Sequence, residues 1–167
     1  MNDCCFAKDH NGYNEAMKIS ALDEIDALMK EYDAHPLVQR MRLFYQHGHV
    51  NTYMHARRVM RKSLAIKRAL HIHVDEKELL LAALLHDFYL YDWHEVGDGS
   101  HHFHGFRHPK RASEKAIEVF CVSPLVAKAI RTHMWPLTLF HIPTSKIGWI
   151  ICIADKLISI KETILRR

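Results

Sequence analysis

The stretch from Leu79 to Leu85 is apolar without a break and runs straight into His86 and Asp87. Leucine and alanine are strong helix formers. Asp75 and Glu78 stand just before the run with the spacing of a capping box. A helix that is apolar on every side offers no face to water, so it belongs in the middle of a fold with other elements packed around it. The rest of the chain must supply amphipathic cover. It must also account for a carboxylate at the end of the most buried element, where an uncompensated charge is costly.

The covering elements read as helices. Ile19, Leu22, Ile25, Leu28 and Met29 recur at helical spacing. His35-Pro36 interrupts that stripe, and Pro36 suits the first turn of a second helix, continued by Leu37, Met41, Phe44 and Tyr45 up to Gly48. Asn51 is a cap for a third helix reaching about Leu70. Its inward face is Met54, His55, Val59, Leu64 and Ile66, with Arg57, Arg58, Arg61 and Lys62 outside. Residues 88–108 mix aromatics, glycines and histidines, the composition of a long loop, and such loops in compact domains are usually functional. Pro109 opens a helix to Phe120, Ser123-Pro124 caps and starts another that ends near His133, and Pro143-Thr144-Ser145 opens the last, which runs past Ile160. No alternating run is long enough for a sheet. The expected fold is an all-α bundle of about seven helices, one domain over 14–167 after a flexible segment 1–13.

Composition removes several function classes. With 49% apolar and 25% charged residues the chain is globular rather than disordered. Its net charge of +4 is spread among acids, so there is no basic stripe for a nucleic-acid polymer. Ile147 to Ile160 contains Asp155 and Lys156 and is too short to span a bilayer. Cys4, Cys5, Cys121 and Cys152 form no CxxC pair, and the last two lie in apolar surroundings, as free core thiols do. Met1-Asn2-Asp3 is unlike the basic start of a signal peptide, and the expectation is a cytoplasmic protein.

The chemistry begins with two misplaced carboxylates. Asp87 ends one apolar run, and Asp155 follows Ile150, Ile151, Cys152, Ile153 and Ala154. A bound cation is the economical common explanation. Nitrogen ligands are available on other helices at His55, His108 and His133, beside His86 itself. Successive candidates stand about 20–30 residues apart, the length of one helix and one connection. Each helix of a bundle then offers one group to a shared centre. Six ligands of mixed imidazole and carboxylate type exceed the needs of one tetrahedral zinc and suit two metals bridged by a carboxylate. The bland alternatives are a satisfied buried polar network for His86, Asp87 and Asp155, and a helix C-terminal cap for His133. Arg58, Lys110, Arg111 and Lys156 are candidates for contacting a ligand, although charges at such spacings are usually solvated. The loop histidines His94, His101, His102 and His104 read as solvated ahead of substrate-binding, with His104 the best candidate for the site because it stands close to His108.

These residues resemble the HD superfamily of metal-dependent phosphohydrolases over roughly Val50 to Ser159. The matching segments are His55 in YMHARRV, His86-Asp87 in ALLHD and Asp155 in CIADKL. His108 in HPKRASEKA and His133 in AIRTH resemble the two additional histidines of the dinuclear subset. The resemblance implies an HD-like helical fold and two divalent metal ions, iron or manganese ahead of zinc, nickel or cobalt. In it Asp87 bridges the metals and positions a water, and His55, His86, His108, His133 and Asp155 complete the shells. The implied reaction is hydrolysis of a phosphomonoester or phosphodiester in a small molecule, nucleotides included. Mixed-valence di-iron oxygenases share the same six positions and supply a second reading; a metal-bound regulatory module without turnover is a third. Many family members carry a lysine three positions beyond the His-Asp pair, where this chain has Leu90. The GYP signature of cyclic dinucleotide phosphodiesterases is absent.

Overall fold

A computed structural model describes residues 23–47, 49–90 and 104–165. Among them lie seven helices and one short antiparallel ribbon. The helices are α1 (23–33), α2 (Pro36–Arg40), α3 (Thr52–Ala69), α4 (Glu76–Leu85), α5 (His104–Phe120), α6 (Pro124–Thr132) and α7 (Lys146–Leu165). The ribbon joins β1 (Tyr45–His47) to β2 (Val50–Asn51), with Tyr45 opposite Asn51 and His47 opposite Val50. The all-α architecture expected from the sequence is the one observed.

Helix α4 is the central element. Every residue from Leu79 to Leu85 is buried, and α3, α5, α6 and α7 all pack on it. Each fully buried leucine contributes roughly 1.5–3 kcal/mol from lost apolar surface. Caps fix where the helices begin. Asn51 accepts from Met54 N at 2.9 Å, Asp75 from Glu78 N at 2.8 Å and Ser123 from Val126 N at 3.2 Å. The capping box at Asp75 is only half made, because the Glu78 carboxylate instead accepts from Ser123 Oγ at 2.6 Å and ties the starts of α4 and α6 together.

The structure corrects several expectations. The second helix stops at Arg40. A 3-10 turn (Met41–Leu43) follows, and Phe44 is extended, so the chain turns into the ribbon instead of continuing to Gly48. On α3, Met54 faces outward at 41% exposure, and the buried face is His55, Ala56, Val59, Met60, Ser63 and Leu64. Helix α5 begins at His104, so Pro109 lies inside it rather than at its first turn. Cys152 is buried as expected, but Cys121 is exposed, at the end of α5 with φ 48°. Residues 1–13, Cys4, Cys5, Ile19 and Leu22 lie outside the described residues, as do His94, His101, His102 and the His104 side chain. Among the described residues no helix is long and apolar enough to cross a membrane.

Candidate metal centre

Two helices end in the same device. His86 follows α4 and His133 follows α6, each as the C-cap residue. A helix end leaves carbonyls without partners. Each imidazole meets one with Nδ1: His86 lies 2.8 Å from Ala83 O and His133 lies 2.7 Å from Ile130 O. A carbonyl only accepts, so the neutral ring keeps its proton on Nδ1 and turns its Nε2 lone pair inward, the tautomer a metal ligand needs.

The third imidazole is His55 on α3, fully buried. Helix α7 holds it from both sides. Its Nε2 is 3.2 Å from Asp155 Oδ1 and its Nδ1 is 2.8 Å from Glu162 Oε2. Asp155, Ser159 and Glu162 recur at helical spacing on one face of α7, and Ser159 Oγ donates to Asp155 Oδ1 at 3.1 Å. Glu162 also accepts from Arg58 Nη1 at 2.8 Å.

Asp87 stands between two sets of imidazoles. Its Oδ2 lies 3.2 Å from His86 Nε2 and 3.8 Å from His55 Nε2; its Oδ1 lies 3.2 Å from His108 Nε2 and 3.7 Å from His133 Nε2. His108, from the second turn of α5, also faces His133 with the two Nε2 atoms 3.0 Å apart. Gln46 on β1 steadies the carboxylate, donating from Nε2 to Asp87 Oδ2 at 2.7 Å. Tyr89 in turn donates to Gln46 Oε1 at 2.6 Å, which leaves only the amide nitrogen to face the carboxylate. The ribbon thus has a purpose: it carries Gln46 to the end of α4.

The electrostatics are strained. Burial pulls His55 toward its neutral form, but hydrogen bonds to Asp155 and Glu162 and the charges of Asp155 and Asp87 outweigh it and raise its pKa to about 10. His133 moves the other way, to about 3, through burial and then the charges of His86 and His108. Burial opposes ionisation of both aspartates. Even so, His86 and His108 hold Asp87 well below the usual carboxylate range, and His55 and His86 do the same for Asp155. Two buried atoms, His86 Nε2 and Asp87 Oδ1, have charged neighbours at 3.2 Å but make no well-aligned hydrogen bond among the described residues. Leaving each unsatisfied costs about 1–3 kcal/mol. Imidazole nitrogen and carboxylate oxygen are donors that a divalent transition metal takes. Two groups, His55 with His86 and Asp155, and His86 with Asp87 and His133, each present ligand atoms within 4.8 Å of one another. The cluster can hold a divalent metal.

The HD domain family model matches residues 52–160. The chain belongs to this family. HD domains are in general metal-dependent hydrolases. The HD match begins at the first residue of α3 and contains all six clustered side chains, while Gln46 and Glu162 lie outside it. No curated protein sequence matches the chain.

Around this HD centre the other expected residues separate. Arg58 is bound to Glu162, on the far side of that carboxylate from His55. Lys156 donates to His133 O at 2.9 Å and lies 4.0 Å from Asp155 Oδ2, so it ties the end of α6 to the middle of α7 beside the cluster. Lys110 is on the exposed face of α5, 3.7 Å from Glu114, and Arg111 lies one residue on; both line a cavity that none of the six clustered residues lines. Leu90, at φ 55°, packs its side chain against the hydrophobic core. Sequence reasoning missed Glu162 and Gln46. The signal for Glu162 was its helical register with Asp155; for Gln46 there was none.

Proposed function

We propose that the protein is a metal-dependent phosphohydrolase holding two divalent ions, iron or manganese by preference, and cleaving a phosphomonoester or phosphodiester in a small molecule, nucleotides included. The observation that carries the reading is Asp87, with one carboxylate oxygen toward His55 and His86 and the other toward His108 and His133. In this assignment His55, His86 and Asp155 would hold one ion and His108 and His133 the other, with Asp87 available to both. Bound divalent ions supply positive charge to phosphate oxygens and acidify a water near pH 7. The chain's own work is orientation. Glu162 holds the Nδ1 side of His55, the two helix-end carbonyls fix His86 and His133, and Gln46 fixes the rotation of the Asp87 carboxylate through Oδ2. No general acid for the leaving group is assigned.

The test is metal analysis of the purified protein followed by phosphate-release assays over a panel of phosphoesters, with and without oxygen. The expected result is about two divalent ions per chain, lost in Asp87→Ala, with phosphate release indifferent to oxygen. Turnover that needs oxygen and releases no phosphate would replace this reading with the oxygenase one. Metal retained without any turnover would leave a regulatory module.

A further inference from the structure

A second feature lies outside the cluster. A cavity of about 370 Å³ opens where the outer face of α5 meets the end of α6 and the segment that follows it, lined among others by Arg107, Lys110, Arg111, Arg131 and Thr138. Among the described residues Glu114 is the one acid on its wall. Lys110 pairs with Glu114 at 3.7 Å, and the guanidinium groups gathered around the same hollow repel one another. Arg107 and Arg131 have no ion-pair partner among the described residues. Thr138 is buried, and its hydroxyl has no hydrogen-bond partner among the described residues. Phe106 and Pro109 supply an apolar edge.

We infer that this cavity binds a phosphoryl group. Guanidinium groups present paired N–H donors that match phosphate oxygens, and a buried threonine hydroxyl needs an acceptor. The volume lies within the range of small-ligand sites. The site is separate from the metal centre but shares its framework: Pro109 follows His108, and Arg131 lies two residues before His133. It stands on its own observations, whatever reaction the centre performs.

The experiment is calorimetric titration of the metal-loaded protein with pyrophosphate and, separately, with glycerol 2-phosphate. The expected result is binding that weakens at least tenfold in the double variant Arg107→Ser, Arg131→Ser, with unchanged metal content and circular dichroism, and that survives in Asp87→Ala. Lys110→Ser, at an exposed position, gives a milder version of the same loss if the double variant folds poorly. Tighter binding of pyrophosphate would assign the site to an inorganic ligand, and tighter binding of the ester to an organic phosphate. Equal binding by wild type and the cavity variants, no binding by any form, or loss in Asp87→Ala alone would overturn the inference. Because the readout is heat of binding and not turnover, failure of the hydrolase reading leaves this test intact.

Discussion

Glu162 Oε2 lies 2.8 Å from the Nδ1 of His55, and both side chains are buried. A carboxylate behind a ligand imidazole fixes the ring and raises its basicity, and losing such a group typically lowers metal affinity 10–100-fold. Glu162→Ala is expected to do so while leaving all six clustered side chains in place. Glu162→Gln, which keeps a hydrogen-bond acceptor, should lose less. Competitive chelator titration measures both. Equal affinity for wild type and Glu162→Ala would show that the contact does not tune the site.

In the metal-free protein His55 and His86 are shifted up and His133 down. His133, at about 3 when folded, takes up a proton more readily when unfolded, so its contribution is lost as the pH falls below about 6.5. His55, at about 10 when folded, adds stability that is full below about 6.5 and is lost as the pH rises through 10. Each contributes a slope of at most about 1.4 kcal/mol per pH unit. Denaturant melts of chelator-treated protein should therefore peak near neutral pH. A steady rise in stability from pH 5 to pH 9 would contradict the His55 assignment. Metal must displace the His55 proton, so loading should acidify a weakly buffered solution and strengthen with pH.

Leu84 is fully buried on the central helix. Leu84→Ala should cost about 2–5 kcal/mol, the range for a large-to-small change that leaves a cavity. Thermal melting is the measurement. A shift of only a degree or two would mean that α4 is less tightly enclosed than its burial indicates.

The framework of the site was legible in the sequence because each of its parts is local. Asn51, Asp75 and Ser123 announce helix starts through hydrogen bonds spanning three residues, and all three bonds are made. The six clustered residues announce themselves as polar groups at the ends or on the faces of apolar helices. What was hidden depends on contacts between distant residues. Gln46 acts on Asp87 from a ribbon whose strands, Tyr45–His47 and Val50–Asn51, are too short to show alternation. Glu162 sits among exposed neighbours such as Lys161 and resembles a solvated charge until α3 is seen packed against it. Pro109 misled because proline favours a first turn, whereas α5 already begins at His104 and carries the proline inside it.

Ser123 does two jobs, capping α6 and donating to Glu78 at the start of α4. Ser123→Ala should cost about 1–2 kcal/mol, the upper part of the range for a lost cap. Glu78→Gln should keep much of that stability, since an amide oxygen still accepts. Urea melts of the two variants separate the cases, and equal losses would mean that the Glu78 charge matters more than the cap.

Asp155 and Glu162 both reach His55 from α7. Their separation is about 10 Å along the axis, a constant of the α-helix rather than of any loop. The grip on the imidazole is therefore calibrated in one piece. Sliding or tilting α7 moves both jaws together, and only damage to the helix itself, such as a proline between them, can change the span of the clamp.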